Sequence, residues 1–302
     1  ARGEDAAVLP APGERLACST DGYVVSPRVF PGGDIGALAV HGTVNDLACR
    51  GARPLWLTAG FILEEGLALA ELDRIVASMA AAARAAGVAV VAGDTKVVER
   101  GKGDGVFVTT TGIGAVPAGV DLGAHRIRTG DAVVLSGSLG DHGVAVMAER
   151  SGLAFSTELR SDTAALADLA AAMRAAVPDL HALRDPTRGG VAATANEIAH
   201  AAGLAIRLDE AALPIKAAVR GACELLGLDP LTVANEGKLM AFCTATDADA
   251  LVDAMRAHPL GRDAALVGEV AAAPAGLVEL ATSFGGRRVV DWLAGEPLPR
   301  IC

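Results

Sequence analysis

The residues best able to do chemistry stand far apart along the chain. Cys302 is the last residue, and a thiol there is a nucleophile on a chain end. Four aspartates occupy turn-like contexts in the first third: Asp5 in GEDAAV, Asp21 in STDG, Asp46 in VNDLACRGARP and Asp94 in GDTK. Such carboxylates suit Mg2+, which takes a few of them together with water and phosphate oxygens. Taken singly, each is equally explained by turn chemistry. Lys96 follows Asp94 by two positions, and a cation beside a metal-binding carboxylate suits a polyphosphate. Further on, RDPTRGG opens a predicted helix near Thr187. Its first N–H groups, with the Arg188 guanidinium and Gly189, can hold an anion, and Asp185 or Thr187 can equally serve as an ordinary N-cap. Glu236, in ANEGK at the mouth of a predicted strand, is a candidate general base. Neither G-x-x-x-x-G-K-[ST] nor a strand-to-helix G-x-G-x-x-G occurs, which excludes the ordinary P-loop and Rossmann readings.

These residues need elements to position them. After Glu64-Glu65-Gly66, Leu72, Ile75, Val76 and Met79 repeat at three- and four-residue intervals and predict a helix. Residues 88–92 predict a short buried strand that delivers Gly93-Asp94-Thr95-Lys96, and residues 106–114 a second strand. Residues 117–123 read as a linker. The second half alternates strands at 132–136, 237–243, 264–270 and 277–281 with helical stripes at Leu166, Leu169 and Met173 and at Val219, Cys223 and Leu226. The expectation is an α+β chain of two domains, 1–118 and 119–294, and a flexible tail, 295–302. Two prolines keep that tail out of helix and central strand, and its last seven residues reach roughly 22–25 Å when extended.

Composition narrows the function classes. With 26 basic and 36 acidic side chains among 302 residues, the formal charge is −10, which repels a polyanion such as nucleic acid. Two Trp, one Tyr and six Phe leave little for base-stacking platforms. A small phosphate-bearing ligand then requires a local cation, metal or N–H cluster. Apolar runs are broken before bilayer-spanning length, so no membrane association is expected. Five cysteines at wide spacings, with no C-x-x-C, oppose a disulfide framework and point to the cytoplasm. Cys18, Cys49, Cys223 and Cys243 read as small core residues.

Taken in order, the strings STDGYVVSPRVFPGGDIG, AVHGTVNDLACRGARP, VAGDTKVV, RDPTRGG, VANEGKLM and the terminal LPRIC cover nearly the whole chain. Together they resemble the HypE family of hydrogenase maturation factors, within the PurM-like (AIR synthetase-like) superfamily. The resemblance implies a two-domain PurM-like fold: an N-terminal mixed-sheet domain that forms a homodimer, and a C-terminal α+β domain with a mobile tail. It implies ATP and Mg2+ in a cleft near the dimer interface. The nucleotide site would draw on Asp5, Asp21, Asp46, Asp94, Thr95, Lys96, Asp185, Thr187, Arg188 and Gly189, with the metal on Asp5, Asp21, Asp46 and Asp94. It further implies that HypF carbamoylates Cys302, that the carbamoyl group is dehydrated with ATP to a thiocyanate, and that the cyanide passes to iron on HypC–HypD. Glu236 is then the expected base and Lys96 its cationic partner, with Arg300 offsetting the terminal carboxylate. Family members begin with a Gly-rich segment not found before GEDAAV here, so weaker ATP binding by this chain is expected. Two readings stay open beside this one: another PurM-like synthetase or kinase acting on selenide or thiamine phosphate, and a non-enzymatic carrier that uses its terminal cysteine.

Overall fold

In the structure, a computed structural model, residues 7–10, 15–152, 159–292 and 298–302 are described. Asp5 lies outside them, as does the expected start of the tail at 295.

The first half builds a five-stranded sheet on which two helices pack. Strands β1 (Ala7–Pro10) and β2 (Arg15–Tyr23) are followed by a small hairpin, β3 (Val29–Phe30) and β4 (Gly33–Asp34), and by α1 (Ile35–Cys49). Then come β5 (Arg53–Glu64), α2 (Leu69–Ala85), β6 (Ala89–Val98) and β7 (Val106–Val116). The strand order is β1-β2-β7-β5-β6, with β5 and β6 parallel and the remaining pairs antiparallel.

Asp34 starts α1 by accepting from the N–H groups of Gly36 and Ala37 at 2.9 and 3.0 Å, a cap worth about 1 kcal/mol. Gly36 lets α2 come close: a Cβ there would stand 2.2 Å from the Ile75 carbonyl oxygen. Helix α1 is buried almost throughout, because the sheet and α2 cover one side of it and elements of the second half cover the other.

The second half forms a seven-stranded sheet. Its elements are β8 (Asp131–Leu135), α3 (Asp141–Ser151), α4 (Ala167–Ala176), β9 (Ala182–Arg184), α5 (Gly190–Ala202), β10 (Ala205–Asp209) and α6 (Ala217–Leu226). They continue with β11 (Met240–Thr244), α7 (Ala248–Ala257), β12 (Ala265–Ala271), β13 (Val278–Ala281) and β14 (Arg287–Val289). The order is β14-β13-β10-β12-β8-β11-β9, with β10 and β13 parallel. Strand β8 is central and buried along its length. Val133 and Leu135 face the layer containing Val191, Ala195 and Ile198 of α5, while Ala132 and Val134 face Leu169, Met173, Leu251 and Met255 of α4 and α7.

Helices α3 and α6 leave this sheet and pack on the first half: Val144, Val146, Val219 and Cys223 share a core with Tyr23, Val25, Phe30 and Ile35. Leu298 and Ile301 of the tail belong to the same core. Cys49, Cys223 and Cys243 are buried and Cys18 half-buried.

Strand β6 departs from its expected burial. It is exposed from Ala89 to Val97, because it is the sheet's outer strand and nothing among the described residues covers it. In its partner β5, Leu57, Ala59 and Leu63 are buried while Trp56 and Ile62 are exposed, so one whole face of this sheet edge lies open.

Candidate active site

Between the two halves lies a cleft with about 430 Å3 of open space, lined by Asp21, Gly22, Tyr23, Gly42, Asp46, Asp185, Thr187, Arg188, Glu236 and Cys302. Five structural units deliver these groups. Strand β2 carries Asp21 and Tyr23 on its inward face, together with buried Ala17 and Ser19. Helix α1 carries Asp46, which accepts a hydrogen bond from Ser19. Gly42, on the same helix, makes room for the Tyr23 phenol, whose oxygen would stand 2.3 Å from an added Cβ. Thr110 Oγ1 donates to Ala39 O, leaving Thr43 to donate to Thr110, and the one Tyr23 hydroxyl proton is shared between Thr43 Oγ1 at 3.3 Å and the Asp21 carboxylate at 3.4 Å. Burial first, and then Asp21, holds the Tyr23 hydroxyl well above its ordinary value, so it remains a neutral donor.

The loop from β9 to α5 supplies Asp185, Thr187 and Arg188. Gly189 caps α5 at φ 76°, and Gly190, at φ 60°, admits the close approach of Leu231 O, which a Cβ would meet at 2.5 Å. The segment before β11 supplies Glu236. Asn235 joins these two loops: its Nδ2 donates to Pro186 O at 2.9 Å and Val233 O at 3.1 Å, and its Oδ1 accepts from Gly140 N at 2.7 Å.

Glu236 is held by its backbone. Its N–H donates to Asp162 Oδ1 at 3.1 Å, and its carbonyl accepts from Asn45 Nδ2 at 3.3 Å and Ala164 N at 3.4 Å. Its side-chain Oε1 is buried with no hydrogen-bond partner among the described residues. Burial, and then the charges of Asp185, Asp162 and Asp21, raise its carboxyl well above the usual range, with Arg188 opposing. Burial also pushes the Asp185 carboxyl up to about 6. Asp162 goes the other way: burial raises it, but the Lys238 ammonium, bonded at 2.9 Å, and the Glu236 N–H bring it below its ordinary value.

The tail enters from the far side. Arg150 Nε donates to Ser26 O at 2.7 Å, Nη1 to Pro299 O at 2.9 Å and Nη2 to Arg300 O at 2.7 Å. His142 Nε2 meets Ile301 O at 2.8 Å, while Val24 N and Ser26 N donate to the carbonyls of Cys302 and Arg300, each at 3.1 Å. Arg300, expected to offset the terminal carboxylate, pairs instead with Asp104, because its backbone turns through φ 56° and aims the side chain outward. The tail expected to be mobile is therefore docked here, with its sulfur at the cleft.

Sequence reading gathered Asp21, Asp46, Asp185, Thr187, Arg188, Glu236 and Cys302, and the chain brings all seven to this cleft. It does not bring Asp94, Thr95 or Lys96. Asp21 lies opposite Thr110, Thr110 opposite Ala59 and Ala59 opposite Gly93, which puts Asp94 three strand spacings away, roughly 14 Å. Asp94 accepts from Lys96 and from Thr95 N, and both charged side chains are 69% exposed. The expected set of four metal aspartates is thus not formed within one chain: Asp94 is on the wrong strand and Asp5 lies outside the described residues. Sequence reading missed Tyr23, Gly42, Asn45, His142, Arg150, Asp162 and Asn235. Those inside quoted strings carried no separate signal, and His142, Arg150 and Asp162 lay in none of them.

Residues 3–116 match the AIR synthase related protein, N-terminal domain, and residues 128–280 its C-terminal domain. The carbamoyl dehydratase HypE of Cupriavidus necator is 61% identical over the whole of this chain and 86% of its own length. A HypE crystal structure in complex with ATP superposes with a TM-score of 0.93 at 49% identity, covering 99% of this chain and 90% of the other. The crystal structure of a HypE–HypF complex gives 0.92 at 46% identity, covering 96% and 93%. On fold and full-length identity together, the chain belongs to the HypE family of carbamoyl dehydratases, built on the PurM-like (AIR synthase) fold.

Proposed function

We propose that this protein dehydrates a carbamoyl group carried on its own Cys302 to a thiocyanate, with ATP as co-substrate, in hydrogenase maturation. The observation that carries the reading is the shared cleft: the docked tail sets Cys302 against Glu236, Asp21, Asp46, Asp185 and Arg188. HypF is the partner that loads the cysteine, and the HypC–HypD complex the acceptor of the cyanide.

A thiocarbamate, Cys–S–C(=O)–NH2, does not expel its oxygen as oxide. ATP supplies a phosphoryl group that turns this oxygen into a phosphate leaving group, so Cys–S–C(=O)–NH2 and ATP give Cys–S–C≡N, ADP and phosphate, with both N–H protons removed. Arg188 and the α5 N-terminus behind Gly189 are placed to steady the anionic oxygens.

Four carboxyl groups against one guanidinium among the described lining residues would repel a polyphosphate without a further cation. No three metal-binding side chains form a cage among the described residues. That donor set fits Mg2+, which uses one or two carboxylates and fills its other positions with phosphate and water; Asp21 and Asp46 would hold it and offset their charge against the phosphates. With that charge offset, Glu236 Oε1, buried without a protein partner, is the atom set to accept an N–H proton.

Lys96 and Asp94 reach such a cleft only from a second subunit. The open β6 edge, with Trp56, Ile62 and Val97 exposed, is the surface on which we place the homodimer. Residues 1–118 then carry dimerisation and much of the nucleotide site, 119–294 the Asp185–Arg188 and Glu236 loops, and 295–302 the substrate. No helix among the described residues is long and apolar enough to cross a membrane. We place the protein in the cytoplasm, where its cysteines stay reduced.

Intact-mass spectra after incubation with HypF, carbamoyl phosphate and ATP test the reading. Wild type gains a carbamoyl group and then loses about 18 Da, one water, with ADP formed in step. Cys302→Ala stays unloaded but folded. Undiminished carbamoylation of that variant would overturn the assignment.

A further inference from the structure

The docked tail is read mainly through its backbone. Three consecutive carbonyls, of Pro299, Arg300 and Ile301, are taken by two side chains of one helix: Arg150 holds the first two and His142 the third. Arg150 also grips Ser26 O, so the segment after β2 that the tail lies along and the tail itself share one guanidinium. Both residues sit on α3, whose Val144 and Val146 pack in the core that receives Leu298 and Ile301.

The proton positions around His142 are determined. Ile301 O can only accept, so Nε2 carries hydrogen. Burial lowers the basicity of the ring, which leaves Nδ1 bare, so the Ser161 hydroxyl donates to it at 2.7 Å while the Ser161 oxygen accepts from Thr163 N at 3.1 Å. The imidazole is then neutral with one fixed tautomer. Phe30 meets the ring edge-on, with centroids 5.4 Å apart, and fixes its plane.

Ser161 belongs to a stretch whose next residues hold Glu236. Asp162 Oδ1 accepts from Glu236 N, and Ala164 N donates to Glu236 O. Asn45 Nδ2 bonds both Ala164 O and Glu236 O, at 3.0 and 3.3 Å. Gly237 is packed on the same stretch, since an added Cβ would meet Asp162 O at 1.8 Å. A single run, Ser161 to Ala164, therefore touches the tail-reading histidine at one end and the backbone of the cleft carboxylate at the other.

We propose that Arg150 and His142 are positioning residues for the dehydration: they hold the tail's carbonyls, and His142, through Ser161 to Ala164, sets the seated Cys302 in register with Glu236. This deepens the function proposed above and rests on it, but the geometry has its own readout. Removing the His142 donor leaves the buried Ile301 carbonyl without its partner and the half-buried Ser161 hydroxyl without its acceptor, which shifts the tail from docked to undocked by about tenfold. Dehydration, which needs the seated cysteine, falls with it. Carbamoylation, which needs the cysteine offered to HypF, does not.

The test is the rate at which iodoacetamide alkylates Cys302 in the whole protein, without nucleotide or HypF, read by peptide mass so that half-buried Cys18 is scored separately. His142→Leu and Arg150→Met are expected to label Cys302 about tenfold faster than wild type. His142→Gln, whose side-chain amide N–H replaces Nε2–H, is expected to stay within about twofold. The kcat for water loss drops in the fast-labelling variants while HypF-dependent loading is kept. Ser161→Ala, which alters no helix residue, gives the same comparison where an α3 variant does not fold. Unchanged Cys302 labelling in folded variants overturns the proposal, and so does an equal loss of loading and dehydration. Faster labelling with no dehydration even in wild type keeps the tail latch and removes the function instead.

Discussion

Lys96 and Glu236 are kept apart within one chain. Lys96 lies in register with exposed Ile62 on the outer edge of the first sheet, while Glu236 is buried in a cleft that faces the sheet's other side. Asp21 shares its face of β2 with buried Ala17, Ser19 and Tyr23, so alternation alone places it and Lys96 on opposite faces.

A mixed dimer distinguishes a shared site from a self-contained one. Lys96→Ala and Glu236→Gln each load Cys302 and each fail to dehydrate it. Co-expressed, they form dimers in which one site has an intact Lys96 from one subunit and an intact Glu236 from the other. About a quarter of wild-type dehydration is expected from a statistical mixture. No recovery in a verified mixed dimer would place both residues in the same subunit's site.

Asp185 makes stability pH-dependent. Its buried carboxyl is pushed from 3.8 up to about 6, so the folded protein keeps this proton where the unfolded chain has lost it. The associated stability is complete below the unfolded value and is lost as pH rises toward the folded one, about 1–3 kcal/mol in all. Asp185→Asn keeps the acceptor for Cys49 without the charge. Its melting temperature should match wild type near about pH 4 and exceed it by several degrees at about pH 7. A constant difference across that range would mean that Asp185 does not titrate as its burial requires.

How much of this was legible in advance depended on the range of each interaction. The strands 106–114, 264–270 and 277–281 carry their own pattern, and β7, β12 and β13 lie within two residues of them. The β6 segment was placed correctly but its burial was not, because a β-branched run reads alike in a covered strand and on an open edge. Seven site residues were found through the strings that carry them. Asp21 nonetheless lies within β2 and Asp46 within α1 rather than on the turns expected, because strand pairing and helix packing continue past the Gly and Asn that read as turn signals. Asn235, Asn45 and Asp162 were missed because their work is to join loops: Asn235 and Gly140 are 95 positions apart, and Asp162 and Glu236 are 74. No local spacing encodes such partners. Arg150 was likewise invisible, since any surface helix carries arginines and only the docked tail makes this one particular.

Asn235 should be costly to lose. It is fully buried and makes three side-chain hydrogen bonds that tie the Glu236 segment to Pro186 and to the start of α3. Asn235→Ala removes the side-chain partner of the buried Gly140 N–H and of the Val233 carbonyl, while Pro186 O keeps only the Asn235 N–H, so urea unfolding should show a loss of about 2–4 kcal/mol. ATP affinity should fall as well, because Arg188 and Glu236 no longer share a fixed frame. A loss under about 0.5 kcal/mol would show that the two loops hold position without it.

The open sheet face supplies the last test. Trp56 and Ile62 are 46% and 43% exposed on the strand beside β6, and Val97 is 69% exposed on β6 itself. A lone chain leaves this apolar surface and an unpaired strand edge in water, whereas a two-fold partner of the same sequence covers both, at roughly 800 Å2 per subunit for an interface of ordinary size. Ile62→Asp places a carboxylate on the face proposed to meet the second copy. Light scattering should then give half the wild-type mass, with the far-ultraviolet circular dichroism retained because Ile62 is no part of the protein's own core. Dehydration should be lost together with the dimer, since Lys96 no longer reaches a neighbour's cleft, while HypF still loads Cys302. A variant that remains dimeric and fully active would move the interface elsewhere and take Lys96 out of the mechanism.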